Sequence, residues 1–223
     1  MAEPVDPAEW SCPVPVGHRE QVVLGHGGGG RLSAELLADV FLPALANPLL
    51  GQLADSTVVA VGGERLAIST DSFVVQPLFF PGGDIGSLAV HGTVNDLACS
   101  GAVPLHLTAA FVIEEGTDIE VLRRIAASMG SAARDAGVAI VAGDTKVVER
   151  GHADAVYIAT AGVGRVRDGA DVRPERATAG DAVLLTGSIG RHGVAVMSVR
   201  EGLQFGSPVT SDSAPVHALV AAL

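Results

Sequence analysis

Apolar positions along this chain follow two rhythms, and the changes between them mark out its elements. Thr57–Val61 and Leu66–Ser69 are short β-branched runs joined by Gly62-Gly63-Glu64-Arg65, the signature of a hairpin. Before them, Leu36, Leu37, Val40, Phe41, Ala44 and Leu45 fall at helical spacing over residues 33–47. Ser33 stands as N-cap, and Pro43 is a point where the helix would kink or end. Residues 73–86 predict a strand running into a loop that holds Asp84. Leu88–Ser100 predicts a helix closed by Gly101, and Leu105–Ile113 a long strand. Thr117 or Asp118 caps an amphipathic helix with Ile119, Leu122, Ile125, Met129 and Ala133 on one face. Gly137 ends it. Val138–Val141 is a strand that stops at Gly143, and Ala155–Val163 is another. Past Gly164 a charged connector leads to a strand over Asp181–Gly187, a helix over Gly190–Arg200 and a fresh apolar run, Val216–Leu223.

Strands and helices interleaved in this way predict an α/β (α+β) fold. The expected organisation is a lead-in over 1–20, where four prolines interrupt any rhythm, and a sheet-and-helix domain over 21–165. The start of a second domain follows over 166–223, too short for a core of its own when domains run to about 100–150 residues.

Composition narrows the function. With 48% hydrophobic residues among 223, the chain buries a real core, and with 4% aromatics that core is built from Ala, Val, Leu and Ile. A net charge of −11 argues against nucleic acid and anionic membrane as partners, since both reward clustered Lys and Arg. No run of about 18 apolar residues is free of charge or glycine, and no signal peptide is recognisable. Cys12 and Cys99 form neither a disulfide framework nor a zinc site, which fits a reduced, cytoplasmic protein. Cys99, among small residues, is expected to be a buried structural thiol.

The chemistry gathers in a few places. Val141–Glu149 reads V-A-G-D-T-K-V-V-E, and its Lys146 is the only lysine among fourteen basic residues. Asp144 suits a divalent cation, Thr145 a hydrogen bond and Lys146 an oxyanion; a surface turn with a stray lysine is the alternative. Gly25-His26-Gly27-Gly28-Gly29-Gly30 opens onto a helix, as phosphate-binding loops do, but lacks the spacing and Lys-Ser/Thr ending of a P-loop, and a mobile loop is the alternative. Asn95 and Asp96 are polar residues in an otherwise small and apolar helix, either paired with one another or binding something. Asp55, Asp71, Asp96 and Asp144 all stand at strand edges or on that helix. Gathered on one face of a sheet, they would suit Mg²⁺ and the phosphates of a nucleotide.

Several segments resemble a known family: L-G-H-G-G-G-G, S-T-D-S-F-V-V-Q-P-L-F-F-P-G-G-D-I-G, G-T-V-N-D-L-A-C-S-G-A, F-V-I-E-E-G and V-A-G-D-T-K-V-V-E-R-G. They are similar to the HypE family of hydrogenase maturation factors. That family lies within the ATP-binding superfamily of aminoimidazole ribonucleotide synthetase, selenophosphate synthetase and thiamine-monophosphate kinase. The resemblance implies a sheet-mediated homodimer, ATP and Mg²⁺ as cofactors, and dehydration of a cysteine S-carboxamide to a thiocyanate that supplies the cyanide ligands of [NiFe]-hydrogenase. It also implies as partners the carbamoyltransferase HypF and the HypC-HypD iron scaffold.

Carried over residue by residue, the resemblance makes Asp71, Asp96 and Asp144 the leading Mg²⁺–ATP ligands, with Asp55, a lone acid where relatives carry a pair, ranked lower. Asn95 and Thr145 become hydrogen-bonders to phosphate or to its ligands. His26 with Gly27, Gly28, Gly29 and Gly30 covers the phosphates or the reacting group, and Lys146 clamps phosphate or, if burial depresses its pKa, acts as base. The family's reactive cysteine ends a Pro-Arg-Ile-Cys-like tail, whereas this chain ends Ala221-Ala222-Leu223. The expectation is therefore either a truncated product or a form acting on another tail. The rival readings are a non-catalytic assembly partner and a superfamily small-molecule kinase or synthetase.

Overall fold

The structure, a computed structural model, describes residues 21–223; the expected lead-in over 1–20, with Cys12, lies outside them. The chain divides into two units at Gly51 and Gln52. In the first, the glycine run forms a single 3₁₀ turn, Leu24–Gly27, and leads into helix α1, Arg31–Leu36. The helix begins earlier than Ser33: its N-cap is Gly30, while the Ser33 hydroxyl donates to the His26 carbonyl at 2.7 Å and so ties the helix to the glycine turn. Leu37–Phe41 then widens into a π-turn before α2, Leu42–Leu45. The wider turn accommodates Pro43, whose ring crowds the carbonyl four residues back and which has no N–H to donate.

In the second unit, Gly62 and Gly63 take φ of +58° and +88°, a region open to glycine at no steric cost. They fold Thr57–Val61 (β1) back on Glu64–Phe73 (β2). A two-stranded ribbon, Phe79–Phe80 (β3) with Gly83–Asp84 (β4), leads into helix α3, Ile85–Cys99. Then follow β5, Ala102–Glu114; α4, Ile119–Asp135; β6, Ala139–Val148; and β7, Val156–Val166. The five long strands form one sheet in the order β1-β2-β7-β5-β6. Only β5 and β6 run parallel, and α4 is the crossover such a pair requires.

Both long helices lie on one face of this sheet. Ile85, Val90, Val94 and Leu97 of α3 and Ile125 and Met129 of α4 bury against Ala67, Phe73, Leu107, Ala109, Val156 and Ile158. α3 crosses β7 so closely that a Cβ at Gly162 would stand 2.8 Å from both Thr93 and Leu107. The other face, with Ile68, Thr70, Ala159, Ala161, Thr108 and Ala110, carries no helix among the described residues.

Several expectations change here. α3 starts three residues early because Asp84 caps it, its Oδ1 accepting from the Gly86 and Ser87 N–H groups at 2.7 and 3.1 Å. β2 runs on through Asp71 to Phe73. β6 passes through Gly143 without stopping, because β5 supplies main-chain partners as far as Val148. Ile119, expected on the apolar face of α4, is 60% exposed, one residue past the Asp118 cap. Asp181–Gly187 is not a strand: no strand pairs with it among the described residues, and Val183, Leu184 and Leu185 stay exposed.

Past β7 come α5, Arg191–Arg200, and α6, His217–Ala222, the latter packed on α3. Between them, residues 211–216 run as a strap along α3. Ser211 N–H donates to Pro81 O, the Asn95 amide donates to Ala214 O at 3.0 Å and accepts from Val216 N–H at 2.8 Å, and His91 meets the Ser213 hydroxyl at 3.1 Å.

Candidate functional site

The strongest convergence of titratable groups lies where β2, α3 and the chain entering β1 meet. Ser69 and Asp71, two apart on β2, share the helix-bearing face by strand alternation. The Asp71 carboxylate lies against Gly92 of α3, where an added Cβ would come within 3.4 Å of Oδ2 and 2.7 Å of the Phe73 ring. One turn further along α3, Asp96 accepts from the Ser69 hydroxyl at 2.9 Å. Ser69 Oγ is also 3.0 Å from the carbonyl of Asp55, which precedes β1. Three buried serines pin this corner, for Ser56 donates to the Asp96 carbonyl at 2.8 Å and contacts the Ser100 hydroxyl.

Burial pushes the Asp96 carboxyl up to about 6. The Ser69 hydrogen bond opposes the rise, and the negative charges of Asp71 and Asp55 add to it. A carboxylate so placed gains from a nearby cation. Among the described residues, no three His, Cys, Asp or Glu side chains converge on one point that could hold a metal. An all-oxygen donor set of one or two carboxylates is nevertheless what Mg²⁺ uses when substrate phosphates complete its shell.

Asp144 is not part of this group. In the sheet it lies level with Ala110, Ala159 and Ser72, whereas Asp71 lies level with Thr160, Ala109 and Gly143. Successive rows face opposite ways, so Asp144 belongs to the helix-free face, three strands away from Asp71. The expectation that four carboxylates share one face is thus corrected: three do so, and the fourth faces outward. Lys146, two residues on, shares the outward face and donates to Asp144. That hydrogen bond, with the Thr145 N–H, holds the Asp144 carboxyl below the usual range. The Lys146 side chain is 69% exposed in the single chain. Thr145 falls on the opposite face from its two neighbours.

Asn95 has both ends of its amide bound to the strap, donating to Ala214 O and accepting from Val216 N–H. His26 and Gly27 to Gly30 belong to the first unit, where His26 Nδ1 accepts from Val23 N–H at 2.9 Å. Cys99 is exposed, not buried as expected. Close packing around its sulfur, and then Asp55 and Asp96, push its pKa up to about 11, far from a reactive thiol. It lines a cleft of about 950 Å³ with Asp55, Arg65, Ser100 and the connector Asp171–Glu175. Sequence reasoning passed over Ser69 and this cleft. The S-T-D spacing, which puts Ser69 and Asp71 on one face, was the available signal for Ser69.

Residues 53–166, from the approach to β1 through the end of β7, match the family model for AIR synthase related protein, N-terminal domain. The chain belongs to the AIR synthase related protein family. Its family domain contains Asp55, Asp71, Asp96 and Asp144 alike. Within the family, the chain is 55% identical to carbamoyl dehydratase HypE of Rhizobium leguminosarum bv. viciae over 201 residues, 90% of this chain and 57% of that protein. It is similar to HypE in a crystal structure with ATP, with a TM-score of 0.68 and 50% identity over 90% of this chain and 60% of that one. It is also similar to a chain of a HypE–HypF complex, with a TM-score of 0.79 and 52% identity over 83% of this chain and 60% of that one. The chain therefore spans a little under two thirds of the proteins it matches. The likeness read from the motifs and that found by comparison agree.

Proposed function

We propose that this chain binds Mg²⁺–ATP at the Asp55, Asp71 and Asp96 corner and serves the ATP-dependent dehydration of a protein cysteine S-carboxamide to a thiocyanate in [NiFe]-hydrogenase maturation. The observation that carries the reading is the meeting of Asp71 on β2, Asp96 on α3 and Asp55 before β1 around the Ser69 hydroxyl, in a chain half identical to a HypE that binds ATP. An amide oxygen is a poor leaving group; its phosphorylation by ATP makes phosphate the leaving group, and loss of the two nitrogen protons completes the nitrile. Bound Mg²⁺ would neutralise triphosphate charge and fix its geometry. Asp71 and Asp96 would hold that cation, and Asp55 would stand beside them.

Asp144 and Lys146 point to the helix-free face, which we assign to a second copy of the chain in a homodimer. There Lys146 would reach oxyanions of a nucleotide shared with the partner. HypF would supply the carbamoyl group, and the HypC-HypD scaffold would receive cyanide.

Calorimetry of Mg²⁺–ATP binding tests the site. Asp71→Asn is expected to weaken binding by at least about tenfold, the scale of a lost charge-assisted contact. Equal affinity in the mutant would remove Asp71 from the site, and no binding by the wild type at millimolar nucleotide would favour an assembly partner without turnover.

A further inference from the structure

Ser69 occupies the point at which the three carboxylate-bearing elements meet, yet it carries no charge. It is only 4% exposed. Asp71 follows two residues later on the same strand and face, so its place is indexed to Ser69 by the backbone alone. Asp96, on α3, is indexed by the 2.9 Å hydrogen bond from Ser69 Oγ to Oδ2. Asp55, entering β1, is indexed by the 3.0 Å approach of its carbonyl to the same oxygen. One hydroxyl carries one proton, and both of these neighbours are acceptors, so Ser69 holds two elements with a donor that serves them in turn or shares its proton. The serines nearby do not duplicate this: Ser56 bonds the Asp96 main chain, and Ser100 bonds Ser56.

We propose that Ser69 is the positioning residue of the carboxylate site: it sets the Asp96 side chain and the Asp55 main chain relative to Asp71 without itself touching cation or nucleotide. The inference rests on reading this corner as the Mg²⁺–ATP site. Without the hydroxyl, Asp96 keeps its place on α3 but loses the contact that fixes its oxygen. Orienting partners behind metal ligands are typically worth about ten- to a hundredfold in affinity.

The test compares Ser69→Thr with Ser69→Val, a pair matched in shape that differs only in the hydroxyl, alongside Ser69→Ala, wild type and Asp71→Asn. Binding of Mg²⁺–ATP is followed by calorimetry and thermal unfolding by circular dichroism. We expect Ser69→Val and Ser69→Ala to bind at least about tenfold more weakly than wild type. Ser69→Thr should stay within about threefold and unfold at a temperature close to that of Ser69→Val. If the alanine variant fails to fold, the Thr/Val ratio decides alone. Ser69→Val binding as tightly as wild type, or Ser69→Thr losing as much as Ser69→Val, overturns the positioning role while leaving the site intact. A wild type that binds no Mg²⁺–ATP overturns the reading of the site, and this inference with it.

Discussion

The pKa of Asp96 gives the free protein a pH signature. Its carboxyl titrates near 6 in the fold and near 3.8 when exposed, so the folded state binds the proton more tightly. Below about 4 both states are protonated and the group is neutral toward stability. As pH rises from 4 to 6 the unfolded chain releases its proton first and stability falls; above 6 the full penalty stands. Asp96→Asn is therefore expected to stabilise the protein at pH 7.5 by about 1 kcal/mol, discounted because the group is only half-buried, and to give no gain at pH 4. Urea melts at the two pH values check this, and a gain at pH 4 as large as that at 7.5 contradicts it. Cys99 makes a second test. With Cys12 changed to serine, the remaining thiol should react with iodoacetamide at pH 8 at least about tenfold more slowly than a free cysteine of pKa near 8.5.

α3 joins the core to the carboxylate corner, and two residues near its start control it. Asp84→Ala removes the cap and should cost about 1 kcal/mol in chemical melts. Gly86→Ala should cost more, about 1–3 kcal/mol, since its Cβ would stand 2.5 Å from the Ile125 carbonyl of α4. The reverse order of severity would mean that α3 and α4 separate easily. Gly83 and Gly86 are also why the start of α3 was misread from sequence: glycines around Asp84 read as a loop, whereas one is a close helix contact. Gly143 misled in the same way, because a glycine that makes room against the Ala109 carbonyl looks like a strand end. α4 and the β1–β2 hairpin were legible, since their periodicity, caps and turn residues agree. Asp96 stands out in the sequence because a polar residue in a small, apolar helix needs a partner, and Asp71 because it stands at the edge of an apolar run. The face on which Asp144 lies was not, since it depends on the register between strands far apart in sequence.

At the scale of the molecule, one face of the sheet is covered by helices and the other presents Ile68, Ala161, Thr108 and their neighbours. If that face joins two copies, Ala161→Arg puts a charge at its middle, level with Thr70 on one side and Thr108 on the other. Sedimentation should then show wild-type dimer and mutant monomer; a dimer that survives the arginine places the interface elsewhere. The alternation that sets what faces outward runs on across an irregularity in β6. Leu107 pairs with Ile140 but Thr108 with Ala142, so Val141 is an extra residue bulged out of β6. Remove it and Ile140 is followed directly by Ala142 in the same two pairs, so Asp144 and Lys146 stay outward and Thr145 stays inward. The bulge is thus the one place in β6 where the chain can shorten by a residue without turning the motif over. A single residue lost from the regular pairs beyond it, with the bulge kept, inverts the motif while every chemical group is still present.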